Sequence, residues 1–212
     1  MIEDDVERPG ERDGRSSVHA PTRSERRDLV GVLARAFRDN PMNVAIHGPN
    51  PARRVRANAA GLRSVVLDQE AMTFSRVISY EGRVVGGLVA ARPGWNPLPA
   101  PSLRRIFECF WLQGGPAVRA WAEVGLAMPD HRPRDDHWYL VVLGVEPSMQ
   151  GQGLGRRLLD ALFAEVAAQP GEICLECDRP ESVRFYERAG FDTRDEAEVH
   201  GVPCWCLGRS IR

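Results

Sequence analysis

At 212 residues and 43% hydrophobic content, the chain is long enough to bury one sizeable core and short for two, so a single domain is expected. A formal net charge of -1 excludes the basic excess of an ordinary nucleic-acid binder, and no apolar run is long enough to span a membrane. All 28 basic residues are arginine, so the chain offers no side-chain amine of its own.

Residues 1–21 mix alternating charge with Pro, Gly and Ser and show no apolar period, which predicts a flexible tail ahead of one domain over 22–212. The tail lacks the apolar core of a signal peptide, and a cytoplasmic location is expected. Periodicity predicts helices near 25–38 and 53–68, strands near 72–80 and 83–91 joined by a tight turn at Glu81-Gly82, and a helical region over 103–126. The β-branched and aromatic run HWYLVVLGV at 137–145 reads as a buried strand, stopped by Pro147. Leu154, Leu158, Leu159, Leu162, Phe163 and Val166 then share one helix face until Gln169-Pro170-Gly171 ends the pattern. A short strand over 172–177 follows, then a helix opened by Pro180 and closed by Gly190, then two strands, the second near 202–207. The fold class is α/β (mixed α+β), a central mixed sheet with helices on both faces.

The junction between the buried strand and the next helix carries Gly151, Gly153 and Gly155. Such a turn leaves the first helical N–H groups unpaired and lets another molecule approach the backbone, an arrangement that holds phosphate. A Walker A loop needs Gly-Lys-Ser/Thr where Gly155, Arg156 and Arg157 stand, and a dinucleotide fingerprint needs its third glycine one residue later.

Gln150, Gly153 and Gly155 spell Q-x-x-G-x-G, which resembles the pyrophosphate-binding motif of the GNAT superfamily of N-acetyltransferases. The run from Phe185 to Phe191, F-Y-E-R-x-G-F, resembles the second signature of that family, whose tyrosine lies beside the coenzyme thiol. Ala36, Phe37, Asp39 and Pro41 in A-F-x-D-x-P, and His131, Arg132 and Pro133 in H-R-P, are most similar to puromycin N-acetyltransferase-like bacterial members. The middle of the chain, about 52–128, is matched only loosely. The resemblance implies the GNAT fold, with a mostly antiparallel sheet splayed at the central strand, and acetyl-CoA as co-substrate without a metal. It implies that Leu143, Gly144 and Val145 flank the thioester. It also implies that Gln150, Gly151, Gln152, Gly153, Leu154, Gly155 and Arg156 hold the pyrophosphate, with Ser182 and Tyr186 contacting the coenzyme from the second signature.

Acetyl transfer to an amine needs a neutral nucleophile, a stabilised oxyanion and a proton for the departing thiolate. The backbone N–H groups of Leu143, Gly144 and Val145 are the expected oxyanion donors. Tyr186 is the candidate general acid, a phenol of pKa ~10 being matched to an alkyl thiolate. Glu176 is the candidate base, because the apolar strand around it would raise its pKa by desolvation; His137 and Tyr139 are rivals. Phe107, Phe110, Trp111, Trp121 and Trp138 are read either as an acceptor-cleft wall or as core. The cysteines of C-x-x-C and C-x-C are read as buried thiols rather than metal ligands, since Cys174 and Cys177 point to opposite faces of a strand.

The expected function is acetyl-CoA-dependent N-acetylation of a primary amine of a small molecule, an aminoacyl-nucleoside or other antibiotic among them. The alternatives are a protein or peptide N-acetyltransferase and a non-catalytic acyl-CoA-binding sensor. The expected partners are acetyl-CoA and an amine acceptor, with no nucleic acid or membrane, in a monomer or homodimer.

Overall fold

The computed structural model describes residues 16–168 and 170–211. In chain order the elements are β1 (Ser16–His19), α1 (Arg23–Ala36), α2 (Pro41–His47), α3 (Pro51–Asp68), β2 (Thr73–Tyr80), β3 (Arg83–Ala91), α4 (Leu103–Gln113) and α5 (Gly115–Ala127). They continue with β4 (Trp138–Val145), α6 (Leu154–Ala167), β5 (Gly171–Cys177), α7 (Pro180–Arg188), β6 (Asp192–Val199) and β7 (Val202–Ile211). The strands form a seven-stranded sheet of order β1-β2-β3-β4-β5-β7-β6, antiparallel throughout except for the parallel pair β4 and β5.

Local chemistry sets most boundaries. Thr22 and Glu25 form a reciprocal capping box at the start of α1, with Glu25 N donating to Thr22 Oγ1 at 3.3 Å and Thr22 N to Glu25 Oε2 at 2.8 Å. Glu81 and Gly82 both take positive φ, 49° and 75°, as the two-residue hairpin between β2 and β3 requires. Alternation along the strands sends Ile78, Leu88 and Leu140 to one face, under Leu158, Leu159 and Leu162 of α6. Val77, Val89 and Val142 go to the other, under Leu29 and Leu33 of α1 and Val66 of α3. Helices on both faces are therefore present, and no described helix is long and apolar enough to cross a membrane.

Three expectations change. The composition predicts a tail through residue 21, but Ser16–His19 is an edge strand paired with β2, Ser16 opposite Tyr80 and His19 opposite Val77. Its order comes from the backbone edge of β2 and from Val18 packing on the core, neither of which a four-residue periodicity can show. Residues 1–15 of that tail lie outside the described residues. The helical region over 103–126 is two helices, broken at Gly114 with φ 88°. Helix α2 was not expected; seven residues give too short a period, although Asn40-Pro41 is an N-cap and first-turn pair.

A third cluster joins α2 and α5 to the outer hairpin through Met42, Met128, Val199, Val202, Cys204 and Cys206, with Trp121 packed on it. Beside it Trp121 Nε1 donates to His47 Nε2 at 3.2 Å, so the His47 proton sits on Nδ1, which has no partner among the described residues. Burial, and then the charge of Arg53, push the His47 pKa from 6.5 down to about 4. Between those values the unfolded chain binds a proton that the folded chain does not, so stability is expected to fall as pH drops from 6.5 toward 4. Urea unfolding at pH 7 and pH 5 measures this. His47→Gln, which keeps an acceptor for Trp121, should narrow the difference between the two.

Candidate active site

The sheet opens at its centre. β4 pairs with β3 as far as Gly86 opposite Val145, but its parallel pairing with β5 ends at Tyr139 opposite Cys174. Beyond that point the strands part, and the main-chain groups of residues 140–145 that face β5 have no strand to bond. On the other face Gly144 permits a close approach: a Cβ there would lie 2.9 Å from Leu33 Cδ2 and 3.1 Å from Ala36 Cβ. The end of α1 thus presses on β4 and brings Ala36 and Phe37 to the gap.

A cleft of about 550 Å³ runs from this gap to the start of α6. Leu143, Gly144 and Val145 form one wall. Gln150, Gly151, Gly153, Leu154, Gly155 and Arg156 form the end at α6. Ser182 and Tyr186 of α7 close the opposite side. Gln152 is the expected coenzyme contact that stands outside the lining; it is exposed and its amide reaches Met149 Sδ at 3.9 Å.

The glycines have separate jobs. Gly151 and Gly153 take φ of 76° and 77°, where a β-branched side chain is strained, and a Cβ on either would meet no protein atom within 4 Å. Gly153 is the N-cap of α6 without a side-chain cap bond, and the first helical bond recorded there is Arg157 N to Gly153 O. The N–H groups of Leu154, Gly155 and Arg156 therefore have no helical acceptor and open on the cleft, next to Arg156 and Arg179. Gly155 also serves packing, since a Cβ would come 3.3 Å from Phe185 Cζ and the ring would have to give by a few tenths of an ångström. Gln150 Nε2 donates to Val145 O at 3.0 Å and folds the loop back on β4. These features fit a pyrophosphate at α6 and a pantetheine arm in the gap.

Tyr186 is fixed by the end of α7. Gly190 takes φ 87° and Phe191 N donates back to Tyr186 O at 3.1 Å, the bond of a Schellman cap. The ring packs edge-on against Phe185 and Phe191 at 5.1 and 5.6 Å between centroids. Its hydroxyl makes no hydrogen bond to another described residue, and burial raises its pKa above the ordinary phenol range.

Glu176 is placed differently from the sequence expectation. It is absent from the cleft lining, and both carboxylate oxygens are engaged. Arg132 Nε donates to Oε1 at 2.5 Å and Nη2 to Oε2 at 3.0 Å, while the Tyr139 hydroxyl also donates to Oε2. The Arg132 guanidinium lies over the Tyr139 ring at 4.0 Å, and Arg132 Nη1 donates to Asn96 Oδ1 at 2.9 Å. Asn96 Nδ2 in turn donates to His137 Nε2 at 2.8 Å, because His137 Nδ1 is committed to Asp135 O at 2.7 Å. Glu176, Tyr139 and His137, three separate base candidates by sequence, are thus members of one satisfied network.

Reading the sequence alone missed the second wall, made by Asn40 and Arg179 with Ala36 and Phe37. Asp178 ties it together. Its carboxylate accepts from Met42 N at 2.9 Å and Asn40 Nδ2 at 3.0 Å, capping α2 from the far end of β5, and burial raises its pKa. From the other side buried Arg54 donates to Asp39 at 2.6 Å and to the carbonyls of Arg38 and Gly48 at 2.7 and 2.9 Å. The A-F-x-D-x-P motif is thereby the brace of a cleft wall, a role that its spelling signalled without defining. None of the five aromatics read as cleft wall or core lines the cleft: Trp138 is core, Trp121 packs on the third cluster, and Phe107, Phe110 and Trp111 point to solvent. Burial pushes the thiols of Cys174, Cys177 and Cys206 up to about 12 and that of Cys204 to about 11. Among the described residues no group of three or more His, Cys, Asp or Glu is placed to hold a metal.

The site is thus a mixed sheet splayed beside its central strand, with a helix N-terminus of the phosphate-holding type at the end of the gap. The sequence pattern of the Acetyltransferase (GNAT) family matches residues 48–191, and the chain belongs to that family. Two mycothiol acetyltransferases are among its curated relatives. One, from Propionibacterium freudenreichii subsp. shermanii, is 39% identical over 74 residues, 34% of this chain and 22% of that protein. The other, from Clavibacter sepedonicus, is 29% identical over 197 residues, 80% of this chain and 64% of that protein. The chain therefore spans less than two thirds of the length of these relatives. Among solved structures, a histone acetyltransferase HPA2 and related acetyltransferase from Corynebacterium glutamicum superposes with a TM-score of 0.70 at 20% identity, covering 93% of this chain and 97% of that one. The polyamine N-acetyltransferase of Drosophila melanogaster gives 0.67 at 17% identity, with 92% and 99% covered. At these identities the structural likeness establishes the fold.

Proposed function

We propose that the chain transfers an acetyl group from acetyl-CoA to a primary amine of a small molecule. The observation that carries this reading is the continuity of the cleft from the unpaired N–H groups of α6, through the β4 and β5 gap, to the free hydroxyl of Tyr186. A pyrophosphate at α6 lays the pantetheine arm along residues 143–145, where the backbone N–H groups that face the gap polarise the thioester carbonyl. The acceptor nitrogen attacks the carbonyl carbon; as the C–N bond forms and the C–S bond breaks, the thiolate takes its proton from Tyr186, and the proton that the acylated nitrogen sheds to water in the cleft is the one that returns Tyr186 to its neutral form. Glu176, held on both oxygens, is assigned a positioning part beside the gap, and the amine enters in its neutral form.

The acceptor class is supported by part of these resemblances, the histone acetyltransferase name of the Corynebacterium glutamicum structure pointing to the alternative protein acceptor. The curated relatives carry the name mycothiol acetyltransferase, the Drosophila enzyme forms N-acetylagmatine, and the A-F-x-D-x-P and H-R-P motifs resemble puromycin-type members. Thiol release from acetyl-CoA, measured with agmatine and polyamines, aminoacyl-nucleosides and unstructured peptides, tests the reading. Release is expected with a small amine and at background level with peptides. Tight acetyl-CoA binding with no release for any amine would instead make the chain a sensor.

A further inference from the structure

Helix α4 is built inside out. Its two buried residues are Arg105 and Gln113, whereas Leu103, Phe107, Phe110 and Trp111 are 82%, 79%, 51% and 87% exposed. The inward side is polar and self-satisfied: Arg105 donates to Asp68 at 3.0 and 3.1 Å and to Glu108 at 2.7 Å, and Glu108 accepts from Arg63 at 2.6 Å. The four apolar residues recur at i, i+4, i+7 and i+8 and so form one stripe on the opposite side. A helix of a finished monomer normally turns such a stripe to the core.

We infer that this stripe is the contact between two copies of the chain, with α4 packing antiparallel on its symmetry mate. Area supports a second copy. At about 150–250 Å² per aromatic side chain, the three rings alone expose roughly 500 Å², and Leu103 carries the patch past the ~300–600 Å² of a typical monomer's largest patch. With flanking surface this approaches the ~800 Å² per partner of a stable interface. Antiparallel packing also keeps Arg104, the exposed cation that flanks the stripe, toward opposite ends of the contact in the two copies, while Arg105 and Arg63 pair with Asp68 and Glu108 on the inward side. The neighbouring α5 exposes Leu126 at 78%, and two α4 and α5 hairpins brought together make a four-helix arrangement.

Sedimentation equilibrium of the full chain from 1 to 100 μM tests the inference. The wild type is expected at twice the chain mass, and Phe107→Glu/Trp111→Glu at the chain mass, its dimer dissociation constant raised at least 100-fold. Both positions lie outside the core and the cleft, so circular dichroism and acetyl-CoA affinity should be unchanged; Leu103→Ser serves as a milder second variant. A wild type that stays monomeric at 100 μM, or a dimer that survives both variants, overturns the inference. So does a monomer that cosediments with vesicles of anionic phospholipid, which would make the stripe a membrane contact.

Discussion

Tyr186→Phe is expected to lower turnover by ~10²–10⁴ while leaving acetyl-CoA affinity nearly unchanged. The phenylalanine keeps the edge-on contacts with Phe185 and Phe191, and the hydroxyl it removes bonds no described residue, so little folding energy is at stake. What is lost is the proton proposed to reach the departing thiolate. Burial raises the Tyr186 pKa, which makes the sign of the pH effect definite: an acid works only while protonated, and a raised pKa moves its loss to higher pH. Wild-type turnover should therefore show no alkaline decline from this group up to about pH 10, the ordinary phenol range. Steady-state kinetics over pH 6–10 with the amine found by thiol release measures both effects. Turnover at the wild-type level in the phenylalanine variant removes Tyr186 from the chemistry.

Arg132→Met is expected to cost about 3–5 kcal/mol of stability, because it strands a nearly buried carboxylate and phenol. The side chains of Arg132 and Glu176 are 11% and 13% exposed, so water replaces little of the lost bonding. At about 2–4 °C per kcal/mol for a chain of this size, the melting temperature should fall by roughly 6–20 °C. The double variant Arg132→Met/Glu176→Met should recover most of that loss, since an apolar pair needs no partner. Thermal melts of the three proteins decide it. A single variant melting within about 2 °C of wild type would mean that the pair is solvated and that Glu176 is free to act as a base.

The parts of the site legible in the sequence are those made by local backbone chemistry. Gly151 and Gly153 at positive φ, Pro180 opening α7 and Gly190 capping it are single-residue decisions, and they place the α6 cradle and Tyr186. What was hidden depends on partners distant in the chain. An apolar strand around Glu176 suggested desolvation, but the guanidinium that engages it comes from 44 residues away. Asp178 stands next to a predicted strand end, yet its work is to cap α2, 136 residues earlier. The period of Leu103, Phe107 and Trp111 marks a helix face correctly and says nothing of where that face points. Gln152 alternates with the glycines around it, so one motif supplies both cleft residues and a solvent-facing side chain.

The turn before α6 is proposed to hold the pyrophosphate of acetyl-CoA. Gly153→Val puts a β-branched side chain at φ 77° with its Cβ in open space at the cleft, where the coenzyme backbone must approach. Calorimetric titration of acetyl-CoA into both proteins, with circular dichroism confirming that the variant is folded, measures the consequence. One equivalent of acetyl-CoA bound by the wild type, with affinity at least tenfold weaker in the variant, is the expected result; equal affinity in the two folded proteins would contradict it.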